Sequence, residues 1–210
     1  MLSIKGPLLG MLIAAATSAA ATQEYILPTL FDVTGVAADD VLNVRAAPAA
    51  HAEIVGTLSP DARDIEVVAH DDTGQWAQVN TGERSGWVAL RFLAYQVDVW
   101  PPEGLPQSLH CLGTEPFWSF RPGDGAILFS TPEMQDSSLR IAQVMSTGVF
   151  RDPRRTVTAL GEDLAMTAVI VPMACSDGMS DRAYGLDVTA ILEEKGTPRL
   201  LTGCCSIAPR

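Results

Sequence analysis

Apolar and polar residues alternate with a period of two through most of the chain. Leu42 and Val44 take turns with Asn43 and Arg45, the pattern of a strand with one buried face. Pro48 ends that strand by removing a ladder donor. Short runs of the same kind predict strands near 30–36, 41–46, 53–58, 64–70, 75–80 and 86–90. Turn signals separate them: Ser59-Pro60-Asp61, Asp71-Asp72-Thr73-Gly74, and the hairpin loop Thr81-Gly82-Glu83-Arg84, where glycine can take positive φ. A second series predicts strands near 117–121, 125–130, 138–145, 155–160, 163–171, 186–193 and 199–204, with Gly161-Glu162-Asp163 as a hairpin turn between two of them. No stretch sustains a helical period. Ser176 to Arg182 is the one place where a turn of helix is expected, with Ser176 as its N-cap and Asp177 in its first turn. The pattern predicts an all-β protein in two units.

The units are separated where the period is lost. From Gln96 to Ser108 the chain runs through Trp100-Pro101-Pro102-Glu103-Gly104-Leu105-Pro106, and residues 98–108 read as a proline-rich linker. Such a segment favours extended, semi-rigid polyproline II, so the units are expected to be held apart at limited distance. The competing reading docks this segment on the first unit. At the start, Met1 to Ala21 combines Lys5, an apolar run from Leu8 to Ala16 and the small-residue site Ala19-Ala20-Ala21, which together form an export signal cleaved after Ala21. The run is well short of the roughly 20 residues that span a bilayer, and no cysteine follows it to carry a lipid. The expected layout is 1–21 signal peptide, 22–97 first domain, 98–108 linker and 109–210 second domain.

The first unit carries Leu42-Asn43-Val44-Arg45-Ala46-Ala47-Pro48 near its start and Ser85-Gly86-Trp87-Val88 near its end. This pairing of L-N-V-R-x-x-P with G-W-V resembles the bacterial SH3 (SH3b) family over roughly Thr29 to Tyr95. The chain departs from the family pattern in the turn after Leu58, where Pro60-Asp61-Ala62 stands without glycine. The resemblance implies a small SH3-like barrel that binds cell-wall peptides or a protein partner. A shallow groove with aromatic faces and a few polar groups would involve Asn43, Arg45, Trp76, Trp87 and Tyr95. Arg45 is expected to face outward because Leu42 and Val44 face inward. Tryptophans also fill small barrels, and Trp87, between Gly86 and Val88, is expected to brace this one.

The second unit contains Cys111-Leu112-Gly113-Thr114-Glu115-Pro116-Phe117-Trp118, Cys175-Ser176-Asp177-Gly178-Met179-Ser180-Asp181 and Gly203-Cys204-Cys205. In this order the three resemble a group of uncharacterised exported bacterial proteins, a likeness that carries no reaction with it. An antiparallel barrel or sandwich, lipocalin-like by first choice, accommodates the strand series. All four cysteines lie here, and in an exported chain they favour disulfides. Cys204 and Cys205 are neighbours on a strand and point to opposite faces, so Cys111 and Cys175 each reach one of them. The loops closed are of some 30 and 94 residues, each worth roughly 3 to 5 kcal/mol. Which cysteine takes which stays open. A Cys₄ zinc site lacks a C-x-x-C pair.

Charge and chemistry narrow the function. A formal net charge of −11, with no basic run, excludes nucleic acid and anionic membrane surfaces as partners. His51, His70 and His110 are scattered over turn-like positions without a recognisable nucleophile. Glu115 and Asp177 could pair as carboxylates, joined by Ser180 and Arg182, with Trp118 as a further residue of that second site; the plainer reading has Asp177 capping a turn, Glu115 accepting backbone amides, and Phe117 and Trp118 filling the barrel mouth. The expectation is a periplasmic or secreted envelope-binding protein without cofactor, metal or catalysis of its own. A regulator or inhibitor of a wall hydrolase and an enzyme using Glu115 and Asp177 are the alternatives.

Overall fold

A computed structural model describes residues 26–209. The expected signal peptide lies outside the described residues. The first half is built from β1 (Thr29–Val33), β2 (Leu42–Arg45), β3 (Ile54–Leu58), β4 (Ile65–Val67), β5 (Ala69–His70), β6 (Trp76–Thr81), β7 (Arg84–Ala89) and, after one turn of 3₁₀ helix, β8 (Leu93–Tyr95). They form two sheets, ordered β4-β1-β8 and β3-β2-β7-β6-β5. Inward residues of both sheets make one small core of Phe31, Val33, Leu42, Val44, Val67, Ala77, Val79, Val88 and Leu93. The predicted hairpin between β6 and β7 is present, with Gly82 at φ +60°. Gly86 is required by packing: a Cβ there would lie 2.6 Å from Val44 Cγ1 and 2.9 Å from the Arg45 carbonyl. The G-W-V motif therefore begins with glycine because β7 crosses β2 backbone to backbone.

The second half is an eight-stranded antiparallel barrel. Its strands are β9 (His110–Thr114), β10 (Phe117–Gly123), β11 (Ala126–Ser130), β12 (Ser137–Met145), β13 (Arg155–Leu160), β14 (Leu164–Cys175), β15 (Tyr184–Glu194) and β16 (Thr197–Ser206). They run in sequence order, and β9 closes the ring by pairing with both β10 and β16. Alternate residues fill the interior, among them Phe120, Ile127, Phe129, Leu139, Met166, Ile170, Leu186 and Leu192. Each such side chain contributes roughly 1.5–3 kcal/mol by leaving water. Cys205 sits directly opposite Cys111 and is bonded to it, while Cys204, facing the other way, is bonded to Cys175. The helical turn expected at 176–182 does not form. Asp177 instead closes a turn on itself, accepting hydrogen bonds from the amides of Met179 and Ser180. A short aspartate competes with helix by bonding its own backbone.

The expectation that residues 98–108 hold two units apart is overturned. Trp100 is buried and donates through Nε1 to the Pro28 carbonyl at 2.9 Å, while Leu105 and Leu109 join the barrel core. The proline carbonyls do not stay in water either. Arg155, stacked over the Trp100 ring, donates to Pro101 O, Gly104 O, Asp152 O and Arg154 O. The indole N–H of Trp100 and the guanidinium of Arg155 give the strap's polar groups partners as it leaves solvent. Beyond the strap, the halves touch directly. The Asn80 amide bonds both the N–H and the carbonyl of Ala183, at 2.9 and 2.8 Å. Backbone bonds join Ser85 to Asp181 and Asp181 to Glu83. Buried Glu66 accepts from Ser206 Oγ and from the Ile207 amide.

Candidate functional site

The outward face of the five-stranded sheet brings together four of the five residues expected at a binding groove. Gly86 and Val88 point into the core, so strand parity turns Trp87 outward. Arg45 lies opposite Trp87, and Trp87 lies opposite Gln78, giving one row across three strands. Trp76 (opposite Ala89) and Asn43 (opposite Thr57) occupy adjoining rows of the same face. All four are half-buried. The expectation that Trp87 braces the core is corrected by this parity: the bracing positions are its neighbours. Arg45 is anchored at one end, where Nη1 donates to the Ala52 carbonyl at 2.8 Å and ties down the loop after β2. Tyr95 stands apart on β8, in the other sheet, edge-on to core Phe31 at 5.4 Å and beneath the Arg151 guanidinium at 5.6 Å.

The three cysteine-bearing motifs of the second half converge. Leu112 to Glu115, Phe117, Cys175 to Met179, Asp187, Thr202 and Gly203 line one open cleft of about 760 Å³. Thr114 Oγ1 donates to the Asp177 carbonyl and joins two of the motifs. Asp177 also accepts from the Ser180 and Tyr184 hydroxyls at 2.8 and 3.2 Å. Burial opposes its charge, but bonds from the Ser180 and Met179 amides and from the Ser180 and Tyr184 hydroxyls outweigh it, and Asp177 is held below the ordinary carboxylate range. Tyr184 is pushed up, first by burial and then by the Asp177 charge.

The expected second-site residues separate accordingly. Glu115 and Asp177 share the cleft, with Glu115 exposed. Ser180 is a cap on Asp177. Trp118 lies inside the barrel, stacked on Phe120 and Phe129, in a slot that exists because Gly113 and Gly203 have no side chains. Arg182 turns to the first half and donates to the Gly82 carbonyl at 3.1 Å. An aspartate already holding four hydrogen-bond donors is a poor proton acceptor. No group of three His, Cys, Asp or Glu that could hold a metal occurs among the described residues, and all four cysteines are in disulfides. The seam between the halves, with Glu66, Asn80 and Trp100, was missed in the sequence. A glutamate between Ile65 and Val67 in an otherwise apolar strand was the only local signal for it.

The model of the bacterial SH3 domain family matches residues 40–94. Neither a curated protein nor a solved structure matches the chain. The matched stretch holds β2 to β7 and the outward row of Arg45 and Trp87, while β1, which completes the core with Phe31, precedes it. By motif, by family model and by paired sheets around one small core, the first half of this chain is similar to bacterial SH3 domains.

Proposed function

We propose that this is an exported cell-envelope binding protein, with no catalysis of its own, whose SH3-like half docks on peptidoglycan peptides or on a protein partner. The observation that carries the reading is the row Arg45–Trp87–Gln78 on the outward sheet face, inside the segment similar to bacterial SH3 domains. A half-buried arginine beside an indole offers a carboxylate-binding fork and an apolar plate together. Two disulfides favour an oxidising compartment, in keeping with the signal peptide read at 1–21, and among the described residues no helix is long and apolar enough to cross a membrane. Residues 22–97 and 109–210 are taken as the two domains, with 98–108 as a strap between them.

Sedimentation of the mature chain with purified peptidoglycan tests this. Arg45→Ala and Trp87→Ala should each lower the bound fraction severalfold while the far-ultraviolet spectrum stays that of the parent. Absence of sedimentation by the parent chain, together with no envelope protein retained on it, would refute the reading. A regulator of a wall hydrolase is the second reading. It is favoured by Phe117 and Met179, 54% and 68% exposed beside the motif cleft, since apolar side chains left in water at a polar cleft fit a protein partner. Inhibition of a lysozyme by the purified chain, relieved by Met179→Asp, would support it.

A further inference from the structure

We propose that the groove between the two halves, beside Arg151, receives the free C-terminal carboxylate of a short peptide, as a site separate from the outward sheet face. The groove has a volume of about 470 Å³ and is lined from the first half by Thr29 and Tyr95, from the strap by Asp98 and Trp100, and from the barrel by Phe150 and Arg151. That volume suits a few residues of peptide.

Arg151 stands in the loop between β12 and β13 with a left-handed backbone, φ +60°. Its guanidinium is 4.9 Å from the Phe150 ring centre and 5.6 Å from that of Tyr95, so two rings hold the fork in place. Among the described residues it has no ion-paired carboxylate and no hydrogen-bonded acceptor. Scarcity of carboxylates does not explain this, because the chain has 25 acidic residues against 14 lysines and arginines. Asp98 lines the same groove and is not paired with it. The neighbouring Arg155 is the contrast, with its donors occupied by four carbonyls.

Two aromatic walls of the groove are preformed. Trp100 is fixed by its bond to Pro28 and by Arg155, and Tyr95 is set edge-on against Phe31. Phe150 and Val149 are 79% and 66% exposed beside it. A positive fork with unused donors beside exposed apolar side chains complements one chemistry, an anionic group joined directly to an apolar residue. The last residue of a peptide has that form, and the two N–H bonds of a guanidinium match its carboxylate.

The test is calorimetric titration of the full mature chain with N-acetylated alanyl-leucyl-alanine as the free acid and as its C-terminal amide. The acid should bind about tenfold or more tightly than the amide, with the difference shrinking as salt is raised. Arg151→Gln should bring the acid down to the amide, and Arg151→Lys should retain part of the difference, as a point charge without a fork. Phe150→Ala should weaken both ligands severalfold. The loss of the acid–amide difference on Arg151→Gln should be the same in an Arg45→Ala background, which keeps this site distinct from the sheet face. Equal binding of acid and amide by the parent chain, no binding of the acid at millimolar concentration, native-like binding by Arg151→Gln, or an acid–amide difference that Arg45→Ala abolishes by itself would each overturn the proposal.

Discussion

Asp177 shows how a residue that reads as a catalytic candidate can be consumed by structure. Its two oxygens meet the Met179 and Ser180 amides and the Ser180 and Tyr184 hydroxyls, and its carbonyl meets Thr114. The D-G-M-S-D spelling is the recipe for this turn, with Gly178 at φ +69°. Asp177→Asn weakens the bonds and removes the charge, and should cost about 1–2 kcal/mol at neutral pH, measured by denaturant unfolding. The sign of the pH effect follows from a lowered folded value. The stabilisation is present above the ordinary aspartate range, near pH ~4, and is lost as pH falls through the folded value. The gap between parent and variant should therefore narrow in acid, and equal stability at pH 7 would show that the network is incidental.

At the scale of the element, β7 separates a packing role from a binding role within two neighbouring residues. Gly86→Ala drives a methyl against Val44 and the Arg45 carbonyl, and backbone cannot move aside, so the expected loss is about 1–3 kcal/mol. Trp87→Ala empties a half-buried outward position and should cost less stability while removing ligand binding. Melting curves of the two variants decide it: a Trp87 variant that unfolds while the Gly86 variant stands would reverse the assignment. Strand β9 teaches a different lesson. Its motif was legible, but no strand was expected over 110–114, where Gly113 interrupts the alternation of side chains. Gly113 instead makes room for the Trp118 indole. Residues 110–114 are a strand because β10 and β16 offer them ladders on both sides, and those partners lie as far along the chain as Ser206, opposite His110.

For the whole molecule, the buried Glu66 joins the first half to the last strand of the barrel. Burial pushes its pKa up, and the bonds from Ser206, Ile207 and Ala208 and the charge of Arg182 only partly offset that. A carboxyl raised on folding contributes stability that is complete below the ordinary glutamate range, near pH ~4, and is lost as pH rises through the folded value. Glu66→Gln keeps the shape, an acceptor for the Ile207 amide and a donor for Ser206, without a proton to lose. Relative to the parent, its melting temperature should climb as pH rises above about 5. Parallel curves for the two chains would place the titration elsewhere.

The all-β class, the first strand series, the hairpins at Gly82 and Gly161, the SH3 likeness and the opposite facing of Cys204 and Cys205 were all legible in the sequence. Each depends on a period of two or on a turn of a few residues, and such signals are local. The closing of the barrel by β9, the choice of Cys205 for Cys111, the packing of the strap through Trp100 and Arg155 and the separation of Tyr95 from Trp87 were decided only by tertiary structure. In each case the partner is set by which surfaces meet after the sheets have formed, and residues distant along the chain supply the acceptors, rings and ladders that no local pattern encodes.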